Sequence, residues 1–153
     1  MDILVFSDSH GRIAAMEGAI RSLNPDVVLH LGDHDADAHI LAHSFPALTI
    51  RTVCGNCDFG SHTRSVDRFT AGDRRIVMTH GHIYKVKSGY ANIRAMGKAE
   101  GADILLFGHT HVPHYEQVGA MHMLNPGSAN YSFGRIQIID GEIRCSLSVY
   151  ADL

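Results

Sequence analysis

The chain has 153 residues, of which 45% are hydrophobic, and a formal net charge of -3 from 13 basic and 16 acidic side chains. This length fits one domain with a real core, so we expect a single domain over residues 1–153. The charge balance excludes a broad nucleic-acid or anionic-membrane surface, which would need a clustered basic excess.

The start of the chain and its cysteines point to a reducing compartment. Met1-Asp2 runs straight into a strand-like segment, and no apolar stretch is long enough to span a bilayer. Three cysteines are an odd count that does not suit a disulfide framework. We therefore expect a soluble cytoplasmic protein. Cys54 and Cys57 form a C-x-x-C, but the residues after it read as loop, which disfavours a redox motif.

Five apolar, β-rich runs each end in polar residues that can bind metals. The runs cover residues 3–6, 27–31, 48–53, 76–78 and 104–107, and the polar residues that follow them are Asp8, His10, Asp33, Asn56, His80, His109 and His111. The chain also holds 12 histidines, and histidine is the commonest metal ligand. The pattern predicts a metal site built at strand ends.

Helical patterns separate some of these strands. Ile13, Met16, Ile20 and Leu23 follow a helical spacing, and a second helix is predicted over Ser88–Glu100, closed by a glycine. Alternating strands and helices indicate a mainly parallel sheet, in which ligands bind beyond the carboxyl ends of the strands.

The last third of the chain changes character. Asp140-Gly141 lies between two strand-like runs, 136–139 and 143–149, as in a type I′ hairpin. Met121–Leu124 reads as another strand. We expect this third to be an antiparallel sheet, and the whole domain to be a mixed α/β fold with two sheets face to face.

Seven candidate ligands are too many for one ion. Nitrogen and oxygen donors without thiolate favour Mn²⁺, Fe or Zn²⁺ over Mg²⁺ or Ca²⁺. Two ions about 3.5 to 4 Å apart could share one carboxylate, clamp a phosphate and activate a water. The sequence thus favours a two-metal phosphoesterase.

Five motifs in order resemble the calcineurin-like metallophosphoesterase superfamily: Asp8-Ser9-His10, Gly32-Asp33, Gly55-Asn56-Cys57-Asp58, Thr79-His80-Gly81-His82 and Gly108-His109-Thr110-His111. Asn125-Pro126-Gly127-Ser128 and the absence of a cap domain resemble its small YfcE-like phosphodiesterase branch. The resemblance implies a four-layer α/β/β/α sandwich, the metallo-dependent phosphatase fold. It also implies two divalent ions, for which we expect Mn²⁺, with Fe, Zn or Ni as alternatives.

By the same resemblance, one metal is bound by Asp8, His10, Asp33 and His111, and the other by Asp33, Asn56, His80 and His109. Asp33 would then bridge the two ions. The implied reaction is in-line attack of a metal-activated hydroxide on a small-molecule phosphodiester.

Six residues are candidates for a catalytic role. His10, Asp33 and Asn56 are candidates as ligands at the reacting centre, and His82 as a residue that lines the site or orients His80. Cys57 stands where most of the superfamily has a histidine that helps the leaving group, beside an acidic residue matching Asp58. Because a thiol is a weak donor, acid assistance should be poor.

A second departure follows Ser128, where Ala129-Asn130-Tyr131 replaces an expected basic residue. Tyr131 and Phe59 could stack on a substrate, but we expect both rings to be packed. Two other functions stay open. One is a non-catalytic scaffold on the same fold, as in the retromer subunit that resembles this branch, and the other is a metal-dependent nuclease. The sequence is compatible with a homo-oligomer but does not indicate one.

Overall fold

The computed structural model describes all 153 residues. Its strands and helices, in chain order, are β1 (Asp2–Phe6), α1 (Ile13–Leu23), β2 (Val27–His30), α2 (Asp35–Ser44), β3 (Thr49–Thr52), β4 (Val66–Ala71), β5 (Arg74–Thr79), α3 (Ala91–Ala99), β6 (Ile104–Leu106), β7 (His114–Val118), β8 (Met121–Asn125), β9 (Ser132–Ile139) and β10 (Glu142–Val149). Short 3₁₀ helices cover His82–Tyr84, Val86–Ser88 and Tyr150–Asp152.

The strands form two five-stranded sheets. The first sheet has the order β10-β9-β1-β2-β3, and the second has the order β4-β5-β6-β8-β7. In the first sheet β1, β2 and β3 are parallel, and in the second β5, β6 and β8 are parallel. The five apolar runs that the sequence singled out are β1, β2, β3, β5 and β6. All five run in parallel groups whose carboxyl ends lie at one edge of each sheet.

The core has three parts that define four layers. One cluster of buried side chains from both sheets, including Ile3, Leu29, Met78 and Leu106, fills the space between them. A second cluster packs α1 and α2 against the outer face of the first sheet, and a third packs α3 against the outer face of the second. The predicted α/β/β/α sandwich is confirmed.

The helices agree with the sequence pattern, with one shift. Helix α1 covers the predicted residues and ends at Asn24, which adopts a left-handed conformation. Helix α3 begins at Ala91, three residues later than predicted, because a 3₁₀ turn and Gly89, with φ 132°, precede it. None of the helices is long and apolar enough to cross a membrane.

The predicted antiparallel sheet in the last third is wrong. Residues 114–149 form two hairpins that extend different sheets: β7–β8 joins the second sheet, and β9–β10 joins the first beside β1. All five residues of β8 are buried, so this strand needs a neighbour on each side, and it pairs in parallel with β6. The turn itself is as predicted, with φ 50° at Asp140 and 80° at Gly141.

Candidate metal centre

The candidate ligands meet where the carboxyl ends of the two sheets face each other. The loops after β1, β2 and β3 of the first sheet carry Asp8, His10, Asp33 and Asn56, and those after β5 and β6 of the second carry His80, His109 and His111. Six of these residues fall into two groups, each with its ligand atoms within 4.8 Å of one another. We call them the Asp8 group (Asp8, His10, His111) and the Asp33 group (Asp33, His80, His109).

The Asp8 group joins the first strand to the β6 loop. Nε2 of His111 lies 3.1 Å from Oδ1 of Asp8. The other carboxylate oxygen of Asp8 accepts hydrogen bonds from the Ser7 hydroxyl at 2.5 Å and from the backbone N–H of His109 at 3.1 Å. Since Oδ2 is held by these donors, Oδ1 is the oxygen that faces the histidines.

His80 lies at the centre of the Asp33 group. Its Nε2 is 3.5 Å from Oδ2 of Asp33 and 3.2 Å from Nδ1 of His109, and it reaches within 3.8 Å of Oδ1 of Asp8. Its Nδ1 donates to the carbonyl of Leu31 at 2.8 Å. When the ring is neutral, this bond keeps the proton on Nδ1, so Nε2 points to the other ligands with a lone pair that can bind a metal. The two groups are therefore neighbours.

Two buried carboxylates in this site have no lysine or arginine partner. Asp8 is 0% exposed and Asp33 is 3% exposed, and their only ion-pair partners are His80 and His111. Burying charge without a cation is costly, so the donor set fits divalent metal ions. Without metal, His80 supplies part of the positive charge that offsets these carboxylates. Burial alone would lower the pKa of His80, but its hydrogen bond to Asp33 and the charges of Asp8 and Asp33 raise it overall.

Burial, hydrogen bonds and neighbouring charges also shift the pKa values of Asp33 and His109. Burial alone would raise the pKa of Asp33, but hydrogen bonds from His80 and from the Cys57 backbone hold it well below its usual range. Burial, together with the charges of His80 and Lys87, lowers the pKa of His109 to about 4. Near neutral pH this site therefore offers a carboxylate and a neutral imidazole, the protonation states that metal binding requires.

His82 lies beside the Asp33 group. Its ring centroid is 5.5 Å from that of His80 and 6.1 Å from that of His109. Its Nδ1 is buried without a hydrogen-bond partner, and no hydrogen bond joins it to His80. Burial and the charge of His80 lower its pKa. His82 thus contacts the site as a neutral ring with one unused nitrogen.

Asn56 and Cys57 form the exposed rim of the site. The Asn56 amide nitrogen donates to Cys57 Sγ at 3.6 Å, which leaves the amide oxygen free to bind metal. The Cys57 backbone N–H donates to Oδ1 of Asp33 at 2.9 Å. Burial, and then the neighbouring Asp33 carboxylate, raise the pKa of the Cys57 thiol. Cys57 stays protonated at neutral pH, and all three cysteines are free.

Asp58 holds the backbone around Asp33. Its Oδ2 accepts the backbone N–H groups of Asp33 at 2.9 Å and Gly55 at 2.7 Å. Its Oδ1 accepts those of His34 at 2.7 Å and Asp35 at 3.1 Å, at the start of α2. Sequence reasoning considered Asp58 only beside Cys57, whereas its contacts position the loop of a candidate ligand.

A buried network that the sequence did not indicate joins the first two ligand loops. The Gly32 N–H donates to Nδ1 of His30 at 3.2 Å, so Nε2 carries the proton and donates to the Ser9 hydroxyl at 2.8 Å. Ser9 in turn donates to Asp37 at 2.6 Å. These residues hold the loops of His10 and Asp33 together. His30, expected to be an ordinary core or surface histidine, is fully buried and hydrogen-bonded.

The Asn125–Ser128 turn supports the site from the second sheet. The Asn125 amide donates to the Gly108 carbonyl at 3.0 Å and to the Thr110 hydroxyl at 2.9 Å. The Ser128 hydroxyl donates to the Asp8 carbonyl at 3.0 Å. The motif therefore fixes the backbone of the loops that carry Asp8, His109 and His111.

The ligand loops share an uncommon backbone conformation. Of the ten non-glycine residues with positive φ, five are candidate ligands: Asp8, His10, Asp33, His109 and His111. Left-handed conformations of such residues cost energy and cluster at functional sites. The hydrogen bonds described above hold this conformation in place.

The expectation that both aromatic rings near the site are packed is wrong. Phe59 is 92% exposed and Tyr131 is 75% exposed. Phe59 follows Asp58 in the loop after Asn56, and Tyr131 follows the Asn125–Ser128 turn. The short loops at these positions have no layer of structure above them in which a ring could be buried.

Comparisons with known proteins identify the family of the chain. The calcineurin-like phosphoesterase superfamily domain matches residues 1–139. The probable metallophosphoesterase YsnB of Bacillus subtilis is 34% identical over 131 residues, which are 84% of this chain and 75% of that protein. The phosphodiesterase YfcE of Escherichia coli is 38% identical over 61 residues, 40% of this chain and 29% of that protein.

A solved structure extends the likeness to the whole fold. A conserved uncharacterized protein of Streptococcus pneumoniae, described as a predicted phosphoesterase, superimposes with a TM-score of 0.80 at 27% identity, covering 98% of this chain and 90% of that one.

Proposed function

Because the chain belongs to the calcineurin-like phosphoesterase superfamily, we propose that it is a dinuclear metal-dependent phosphodiesterase formed by a single domain without a cap. The observation that supports this most is the pair of adjacent ligand groups around two buried carboxylates that have no lysine or arginine partner. Divalent ions bound there would supply the positive charge that attracts a phosphate and would lower the pKa of a water molecule.

Each ligand has a specific task in this proposal. Asp8, His10 and His111 would hold one ion, His80, His109 and Asn56 would hold the other, and the Asp33 carboxylate would be shared between them. Two divalent ions against two carboxylates leave a net positive site, which complements a phosphodiester anion. The raised pKa of Cys57 makes its thiol a neutral, weak donor beside that site rather than a nucleophile.

Preference for diesters over monoesters rests on the likeness to YfcE of Escherichia coli, which is named a phosphodiesterase. The Cys57 thiol supplies little acid assistance to a leaving group, which does not by itself distinguish diesters from monoesters. We further propose Mn²⁺ as the working metal, since the nitrogen and oxygen donors suit it. A small-molecule substrate and a cytoplasmic location belong to the same proposal.

The test combines metal content with hydrolysis. We expect the wild type to bind two ions and to hydrolyse bis(4-nitrophenyl) phosphate with Mn²⁺ faster than 4-nitrophenyl phosphate. Asp33→Asn should lose activity by about 100-fold or more, since it removes a charge from both ions. Asp26→Asn is the matched control, because Asp26 is an exposed carboxylate at the amino end of β2, away from the ligand loops. This variant should stay active. Full activity of Asp33→Asn would contradict the bridging role.

The two alternatives predict different results. A non-catalytic scaffold would show no hydrolysis with any metal while binding a protein partner. A nuclease would digest single-stranded DNA, but the chain lacks a basic excess for binding long polynucleotides. Each outcome is distinct from metal-dependent hydrolysis of a small diester.

A further inference from the structure

We infer that the groove beside Phe59 binds a nucleobase, carried by one of the two substituents of the phosphodiester substrate. This inference rests on the proposed function. The groove adjoins the loop of Asp33 and has a volume of about 510 Å³. Its polar and aromatic lining consists of Asp35, His39, Phe59, Ser61, His62 and Thr63. This lining offers one flat ring surrounded by hydrogen-bonding groups.

The chain on either side of Phe59 is held by hydrogen bonds, and the ring is 92% exposed. On one side of it, the Asp58 carboxylate accepts the backbone N–H groups of Asp33 and His34. On the other side, the Ser61 hydroxyl donates to Asp35 at 2.5 Å and accepts the Thr63 N–H at 3.0 Å. A hydrophobic ring that is exposed on a loop tied at both ends is a preformed surface for stacking.

The position of the ring links it to the reacting centre. Phe59 comes three residues after Asn56 and directly after Asp58, whose carboxylate is bonded to the backbone of Asp33. A diester bound at the ligand groups has two substituents, and one of them can extend over this loop. Asp35, which lines the groove, donates its backbone N–H to the same Asp58 carboxylate, so the groove adjoins the loop that carries Asp33.

The charge of the groove selects a neutral, planar group. Asp35 is its only acidic residue, and no lysine or arginine lines it, so a second phosphate would be repelled. His39 and His62 are exposed and can donate or accept hydrogen bonds at the edge of a heterocycle. A flat ring with polar edges is the chemistry of a nucleobase, and stacking of bases on aromatic side chains is a common mode of recognition.

The experiment compares two ligands that differ only in the base. Adenosine 5′-monophosphate and ribose 5-phosphate are titrated into the Mn²⁺-loaded protein by calorimetry, with phosphate release assayed in the same samples. We expect the wild type to bind adenosine 5′-monophosphate about tenfold more tightly than ribose 5-phosphate, from stacking on one ring. Phe59→Ala should abolish this ratio, and Phe59→Trp should keep it. Tyr131→Ala, which removes another exposed ring that does not line the groove, should leave the ratio unchanged.

Equal binding of the two ligands by the wild type, or an unchanged ratio in Phe59→Ala, would overturn the inference. Hydrolysis of bis(4-nitrophenyl) phosphate, measured on the same preparations, tests the proposed function separately. If the enzyme is active but binds the two ligands with equal affinity, the inference about the groove is refuted and the proposed activity stands. Loss of the ratio in Tyr131→Ala as well would assign the effect to the fold rather than to Phe59, and would also count against it.

Discussion

The carboxylate of Asp58 accepts the backbone N–H of Asp33 at 2.9 Å, so one acidic residue holds the backbone of another. The same carboxylate accepts three more backbone N–H groups, from His34, Asp35 and Gly55. A charged acceptor for four donors is a strong local constraint. It keeps Asp33 in its left-handed conformation, with φ 54°.

We predict that Asp58→Asn destabilises the protein by about 2 kcal/mol, because the amide group places donors against backbone donors. The measurement is urea unfolding in the presence of chelator. Asp26→Asn is the control, since Asp26 is exposed and accepts only the backbone N–H of Asp2, at 2.7 Å; it should cost about 1 kcal/mol or less. Equal stabilities for wild type and Asp58→Asn would refute the positioning role.

The buried His30 should make the stability depend on pH. Burial lowers its pKa from 6.5 to about 4, so the unfolded chain binds more protons than the folded chain between these values. The stabilising effect of neutral His30 is complete above pH 6.5 and is lost as the pH falls towards 4. Between pH 7.5 and 5 this amounts to about 2 kcal/mol.

His30→Gln tests this relation, because glutamine can still donate to Ser9 but does not titrate. Unfolding of chelator-treated wild type and variant is measured at both pH values. The loss of stability on acidification should be about 2 kcal/mol smaller in the variant. The variant serves as the reference because it shares every other titratable group with the wild type. Identical losses would show that His30 does not carry the effect.

The two ligand groups predict a pattern of metal loss. If each group binds one ion, His111→Ala and His109→Ala should each retain one. The double variant His10→Ala/His111→Ala should also retain one ion, because both residues belong to the Asp8 group, whereas His80→Ala/His111→Ala should retain none. Metal content after dialysis is measured by mass spectrometry. Loss of both ions from either single variant would contradict two separable sites.

Gly108 permits the close approach of the β6 loop to the first strand. A Cβ at this position would lie 2.0 Å from the Ser7 hydroxyl and 3.0 Å from Oδ2 of Asp8. We predict that Gly108→Ala costs about 2 kcal/mol or more and weakens metal binding at the Asp8 group. Gly18→Ala is the matched control: Gly18 lies in α1 with nothing within 4 Å of an added Cβ. It should stabilise the protein by up to about 1 kcal/mol, and thermal unfolding of both variants checks the contrast.

The layers of the fold were predictable because the signals are local. Apolar runs that end in Asp33 or His80 indicate parallel strands, and the spacing of Ile13 and Met16 indicates an amphipathic helix. Which sheet a strand joins is not a local property. The Met121–Leu124 run gave no indication that it pairs in parallel with β6, since that choice depends on packing with distant residues.

The candidate ligands were identified as residue types at strand ends, but the groups that hold them were not. Ser9 is 21 residues from His30 and 28 residues from Asp37 in the chain, and nothing in this spacing predicts a hydrogen-bonded network. The exposure of Phe59 was also unpredictable, because hydrophobic residues are usually buried. Such features arise from how loops of different strands pack together.

The position of β9 beside β1 has a consequence for biosynthesis. The N-terminal amine of Met1 donates to the carbonyl of Ile138, 137 residues away, and β9 covers the edge of β1 that β2 leaves open. On the ribosome, β1 therefore waits for its second neighbour for on the order of ten seconds. During that time the strand that carries Asp8 has one unpaired edge, and the Ser128 hydroxyl that fixes the Asp8 carbonyl is not yet in place. The surroundings of Asp8 are thus completed only after the chain has been made beyond Ser128 and β9.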